Sequence, residues 1–134
     1  MTRKSIKKMN GSLVILLVHV IKVVVERKVT PSWNGSIYAR LVSIKKYNIN
    51  KNNSYTIKPN TWFELIQDCL EDSLDIPAWE CCDGFYEGNT KRLLGDLDIQ
   101  AVYHIAEELL KLTYSSAIDK EKITHILEQY LINS

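Results

Sequence analysis

The apolar stretch LVILLVHVIKVVV, from Leu13 to Val25, decides the fold of this chain. Its apolar side chains recur at helical spacing at Leu13, Leu16, Leu17, Val20, Ile21 and Val24, and its two polar residues, His19 and Lys22, share a narrow stripe on the opposite side. This pattern predicts a central, mostly buried helix. A strand over residues 13–25 is the alternative, because the run of three valines at its end is β-branched and stiff at χ1.

A second apolar stripe follows Pro31 and predicts a second helix. Its apolar residues step by four, four and three positions from Trp33 to Ile44, which places them on one helical face. Basic side chains occupy the outer face of this helix.

The second half of the chain shows start signals for four further helices. These signals are the capping boxes Thr61–Glu64 and Ser116–Asp119, the cap Asp98, and Pro77 ahead of a short helix over Ala78–Phe85. Gly88 and Gly95 bracket a connector that carries Lys91 and Arg92. We therefore predict an all-α fold, a compact single-domain bundle of five to six helices over residues 1–134.

Chain length indicates the number of domains, and cysteine content indicates the redox compartment. The 134 residues suit one domain. The three cysteines are an odd number and two are adjacent, which leaves no closed disulfide framework and favours a reducing compartment.

The apolar stretch from Leu13 to Val25 is shorter than the about 20 residues that span a bilayer, and no secretory cleavage site follows it. We expect a cytoplasmic protein without a membrane span.

Charge is sorted by position along the chain. Residues 1–60 carry twelve Lys and Arg and one acidic residue, Glu26, for a formal charge of +11. Residues 61–134 carry five Lys and Arg and fifteen acidic residues, for a formal charge of −10. The Asn-rich loop Asn48–Asn53 is the predicted boundary between this basic part and this acidic part. The split indicates two halves that attract each other, or two surfaces for different charged partners.

A row of carboxylates begins on the helix that starts at Thr61, and no Lys or Arg interrupts it between Glu64 and Glu87. Like charges three and four residues apart destabilise a helix slightly, so a group outside the helix should relieve them. Solvent or the cations of the basic part of the chain would suffice to relieve this repulsion. The sharper interpretation is a docking surface for a basic protein, steered by complementary potentials.

We predict a non-catalytic protein-binding module, most concretely an immunity or antitoxin-type inhibitor that masks the basic surface of a toxin such as a nuclease, which must expose positive charge to hold phosphates. We call its predicted partner-binding residues the acidic surface: Glu64, Asp68, Glu71, Asp72, Asp75, Glu80, Asp83 and Glu87.

The basic part supports an alternative of a different class, a nucleic-acid-associated helical protein. Basic side chains interleaved with tyrosines can contact phosphates and stack on bases. The residues predicted for this role are Arg3, Lys4, Lys7, Lys8, Arg40, Lys45 and Lys46.

The sequence offers little for catalysis or metal binding. Adjacent Cys81 and Cys82 cannot form a C-x-x-C chelate, and no phosphate loop, nucleophile elbow or zinc helix is present. His104 and His125 share helical faces with Glu and Gln and are expected to face solvent. We predict no catalytic residue, metal or cofactor. An enzyme would need one of these histidines to meet one of these cysteines in a pocket.

One segment resembles a known family. Leu16-Leu17-x-His19-x-x-Lys22, then nine residues, then Ser32-Trp33-x-x-x-Ile37, is similar to the central pattern of the bacterial all-helical domain of unknown function number twenty-nine. In that family a basic helix follows, which Arg40 and Lys45 continue here. The resemblance implies helices at Leu13–Glu26 and Trp33–Lys46, and it implies no activity.

Overall fold

The computed structural model describes the backbone of residues 3–133 and the side chains of residues 6–132. Over this range the chain is all-α, as predicted, and its nearest approach to a sheet is an isolated bridge between Ile49 and Tyr55. Seven α-helices are present in the described range rather than five to six. They are α1 (Arg3–Glu26), α2 (Pro31–Asn48), α3 (Trp62–Leu70), α4 (Asp75–Glu80), α5 (Thr90–Asp96), α6 (Ile99–Lys111) and α7 (Lys120–Asn133).

Helix α1 is the centre of the fold. Leu13, Leu16, Leu17 and Ile21 have no exposed surface, and α1 packs against α2, α3, α4 and α6. Most of the stability of such a helix comes from packing, which outweighs the weak helix propensity of its valines. The central-helix prediction is confirmed, and the strand alternative for residues 13–25 is wrong.

Helix α1 is also longer than its apolar stretch. Ile6–Glu26, 21 residues, is long and apolar enough to cross a membrane by length and composition alone, so the argument that the segment is too short is wrong. However, 56% of an 18-residue apolar window of this segment is buried inside the fold, and the central helix of a soluble protein passes the same test. The cytoplasmic location stays a prediction.

Helix α2 returns antiparallel along α1 after a short turn. Thr30 caps it, because its hydroxyl accepts a hydrogen bond from the backbone N–H of Trp33 at 3.1 Å. The apolar stripe that the sequence indicates, Ile37, Leu41 and Ile44, is fully buried. The two helices of the family resemblance are thus present, but the apolar spacing predicts the same helices, so their presence does not bear on the family.

A buried polar network holds the junction between the basic and acidic parts. Asn48 is fully buried; its amide donates to the carbonyl of Ile57 at 3.0 Å and accepts from the N–H of Ile57 at 2.7 Å. The hydroxyl of Tyr114 donates to the same carbonyl at 2.6 Å and accepts from the indole of Trp62 at 2.7 Å. The loop after α2 is therefore fixed to α3 and to the end of α6.

The second half departs from the predicted boundaries. Helix α3 starts directly after Thr61, as predicted, but the Thr61–Glu64 capping box is wrong. A 3₁₀ turn over Pro59–Thr61 precedes the helix, and the Thr61 hydroxyl donates to the carbonyl of Lys58. The predicted connector between Gly88 and Gly95 is instead α5. By contrast, Asp98 caps α6 as predicted, and its carboxylate accepts from the N–H of Ala101 at 3.1 Å.

Candidate functional site: an acidic surface

Helices α3 and α4 form one almost continuous helical segment that displays the acidic row. The 3₁₀ turn Glu71–Ser73 joins them, and the residues on both sides of it keep right-handed helical backbone angles. Trp62, Ile66 and Cys69 face inward and are buried. The carboxylates between Glu64 and Asp75 consequently remain on the outer side, as the spacing predicts.

All eight residues of the acidic surface are exposed. Among the described side chains, Glu80 is the member that forms an ion pair, with Lys22 at 2.5 Å. The other two ion pairs among the described side chains, Lys28 with Glu26 and Lys111 with Glu108, do not involve the acidic surface. Seven carboxylates of the surface therefore form no ion pair among the described side chains, and Lys22–Glu80 is the one ion pair there that joins the two halves.

Two residues of the polar stripe of α1 contact the end of α4 and the segment that follows it. Lys22 is 14% exposed where it reaches Glu80. Four residues further along α1, the carboxylate of Glu26 accepts a hydrogen bond from the backbone N–H of Cys82 at 2.6 Å. Glu26, the single acidic residue of the basic part, is therefore a positioning residue for the segment after α4.

That segment has an unusual backbone. Cys82 and Asp83 have φ values of +56° and +55°, in the left-handed region that residues other than glycine seldom adopt. Glu87 (φ +48°) and Gly88 (φ +79°) follow in the same region. These reversals end α4 before the predicted limit at Phe85 and turn the carboxylates of Asp83 and Glu87 outward.

Burial and nearby carboxylates set the reactivity of the adjacent cysteines. Desolvation by burial raises the pKa of Cys81 to about 12. The pKa of Cys82 is also raised, by desolvation and by its hydrogen bond to the Glu26 carboxylate. Cys81 is buried, whereas Cys82 is exposed.

Exposed aromatic residues accompany the acidic surface, and sequence reasoning missed them. Phe63 is 48% exposed, and its ring stacks on Tyr103 with ring centroids 4.8 Å apart. Trp79 and Phe85 are 64% and 51% exposed. The sequence signal that could have identified these exposed residues is an aromatic residue between carboxylates on a polar helix face.

The residues predicted for nucleic-acid binding are only partly available. The ammonium of Lys45 donates to the carbonyls of Thr113 and Ser115, so this lysine is engaged at the end of α6. Lys8 and Lys46 both lie over the ring of Tyr47, at 5.8 and 5.9 Å from its centroid. Lys7 is exposed and Arg40 is half-buried. The predicted side chains of Arg3 and Lys4 lie outside the described ones.

The groups required by the enzymatic alternative do not share a pocket. His104 is exposed and lines a groove of about 370 Å³ together with Glu108 and Tyr130, and no cysteine lines that groove. Cys82 lines a different groove, and His125 lines neither. In the described part of the chain, no group of three or more His, Cys, Asp or Glu is arranged to hold a metal ion.

Comparison of the chain with protein families, with curated proteins and with solved structures finds no match. The candidate site therefore rests on the geometry and charge of this chain.

Proposed function

We propose that this chain is a non-catalytic binding protein of the immunity or antitoxin type, whose acidic surface masks the basic surface of a toxin such as a nuclease. The observation that carries the proposal is the row of seven exposed carboxylates without an ion pair among the described residues. Like charges at this spacing cost helix stability. A basic partner that covers them relieves the repulsion, and their field accelerates its approach.

The contrast with the basic part favours the acidic surface as the docking site. Several cations of the basic part already contact the chain itself: Lys22 binds Glu80, Lys45 binds backbone carbonyls, and Lys28 lies over the ring of Trp33. Among the described side chains, seven of the eight carboxylates of the acidic surface form no ion pair. A partner therefore meets negative charge that is free to bind, and the nucleic-acid alternative has fewer free cations than the sequence suggests.

The first experiment identifies the class of partner. The immobilised protein is exposed to an extract of the cells that produce it, and bound material is eluted by increasing salt. The proposal expects a basic protein to elute, because salt screens interactions between exposed charges. Recovery of nucleic acid would instead support the alternative.

The second experiment uses charge reversal with a matched control. Asp68→Lys with Asp75→Lys reverses two carboxylates of the acidic surface, while Glu121→Lys with Glu128→Lys makes the same change of net charge on α7; all four residues are exposed. We expect the first pair to weaken binding of the recovered protein by roughly 100-fold at low salt, mainly through slower association, and the second by less than about 3-fold. Equal affinities for the two double variants would contradict the proposal.

A further inference from the structure

Three exposed apolar side chains lie close together in sequence within the stretch that carries the acidic surface. Ile76, Trp79 and Phe85 are 49%, 64% and 51% exposed, and all three belong to residues 75–90, which we call the anchor segment. Exposed apolar groups that cluster in one place mark interaction sites more often than scattered ones do. Tryptophan in particular is enriched among the residues that dominate binding energy.

The indole of Trp79 is held in place although most of it is exposed. A Cβ atom at Gly88 would lie 2.4 Å from Cε2 and Cζ2 of the indole, so this ring rests directly on the glycine backbone. The N–H of Gly88 donates to the carbonyl of Ala78 at 3.1 Å, which ties this glycine to the end of α4. One face of the ring is therefore supported and the rest of it is presented to solvent.

The ring of Phe85 is supported in a similar way. It meets the ring of Tyr86 edge-on at 5.1 Å, and the guanidinium of Arg92 lies 4.1 Å from its centroid. Tyr86 is itself buried, and its hydroxyl donates to the carboxylate of Asp96 at 3.1 Å. Both aromatic rings are thus ordered before any partner arrives, which reduces the entropy lost on binding.

The charge of the anchor segment indicates the partner. Residues 75–90 contain four carboxylates and no Lys or Arg, and Glu80 is the one paired with a cation of the described chain. The cation of Arg92 lies over the ring of Phe85, but carboxylates outnumber cations in and beside this segment, which disfavours nucleic acid and anionic lipid. A basic protein would place its cations against the carboxylates and an apolar cleft over the indole, the usual arrangement of an apolar centre within a polar rim.

We propose that Trp79 and Phe85 are the apolar anchors of the acidic surface, and that they insert into an apolar cleft rimmed by Lys and Arg on a basic protein. This inference rests on the proposed function and adds that the apolar contacts, rather than the charges alone, decide affinity. Charge then governs the rate of association, whereas the anchors govern how long the complex lasts.

The test compares variants against the basic protein that salt elutes from the immobilised chain, after that protein has been purified. We expect Trp79→Ala to raise Kd by roughly 30-fold or more, mainly through faster dissociation, and Phe85→Ala to raise it by roughly 10-fold. The control is Ile132→Ala on α7, since Ile132 is 80% exposed but α7 carries no residue of the acidic surface; its Kd should change less than about 3-fold. Circular dichroism confirms that each variant is folded.

The possible outcomes separate the two proposals. If charge reversal at Asp68 and Asp75 weakens binding while Trp79→Ala and Phe85→Ala do not, the anchors are wrong and the proposed function stands. If no basic protein elutes, the proposed function is contradicted and the anchors with it. Sedimentation equilibrium of the isolated chain supplies the last arm: self-association that Trp79→Ala abolishes would show that a second copy, not a foreign basic protein, covers the anchor segment.

Discussion

Gly88 is subject to two separate constraints, and replacing it measures how firmly Trp79 is held. Its φ of +79° lies in a region that other residues rarely adopt, and a Cβ atom there would lie 2.4 Å from the indole of Trp79. Gly84 shares the first constraint, with a φ of +80°, but nothing lies within 4 Å of its Cβ position. Gly84→Ala is therefore the matched control for Gly88→Ala.

The magnitudes follow from these two constraints. An alanine in the left-handed region costs about 1–2 kcal/mol, of which the restriction of the unfolded chain offsets about 0.4–1 kcal/mol. We expect Gly84→Ala to lower the free energy of unfolding by roughly 0.5–1 kcal/mol. Gly88→Ala must also displace the indole, and overpacking costs about 1–3 kcal/mol. Because the ring is 64% exposed and can swing outward, we expect the lower end, about 1 kcal/mol more than at Gly84.

The assay is urea unfolding followed by far-UV circular dichroism at 222 nm, a signal that comes mainly from the helical backbone. The excess cost at Gly88 should disappear when Trp79 is already alanine, because no ring remains to be displaced. Costs at Gly84 and Gly88 that agree within about 0.3–0.5 kcal/mol, the usual limit of additivity, would refute the claim that the ring rests on this glycine. An excess that persists in the Trp79→Ala background would refute it as well.

Two further predictions concern the junction and the thiols. Asn48→Ala should lower the free energy of unfolding by roughly 2–4 kcal/mol in the same urea assay, since it leaves the N–H of Ile57 unpaired and opens a cavity. The exposed control Asn52→Ala should change the free energy of unfolding by less than about 0.5 kcal/mol. Equal effects of the two substitutions would contradict the role of the network. Cys82 should be the first thiol alkylated by iodoacetamide at pH 8. Glu26→Gln should speed this reaction severalfold, because removing the carboxylate lowers the pKa of the Cys82 thiol and raises its thiolate fraction. A rate that stays the same or falls in Glu26→Gln would contradict the contact between Glu26 and Cys82.

Periodicity predicts the helices of this chain where one apolar face meets the core. Helices α1, α2 and α6 follow that rule, and Asp98 caps α6 by a local interaction that its sequence position indicates. Helix α5 escapes the rule, because Gly95 lies inside it and a glycine costs a helix about 1 kcal/mol relative to alanine. The cap at Asn89, which accepts from the N–H of Arg92 at 3.1 Å, and the burial of Leu93 outweigh that cost.

The acidic surface could be recognised from the sequence, but its surroundings could not. Spacing alone places Glu64 and Asp68 on one side of a helix. Whether a lysine of the basic part would cover them depends on tertiary packing, and so does the left-handed backbone at Cys82, which Glu26 supports from a distant helix. The exposure of Trp79 is likewise a tertiary result, since a tryptophan within a helical pattern is more often part of the core.

The distribution of polar contacts explains why the charge split persists in the folded chain. Where the two parts meet, Lys22 pairs with Glu80, and Glu26 accepts from the backbone N–H of Cys82; its cation partner, Lys28, belongs to the basic part itself. The loop junction at Asn48 uses neutral groups. The fold therefore joins a basic part to an acidic part with very few opposite charges in contact, and it leaves the field of each part directed at the solvent. A surface that keeps its charge unsatisfied in this way, and also carries an exposed indole against Gly88, has the properties that the proposed binding of a basic protein requires.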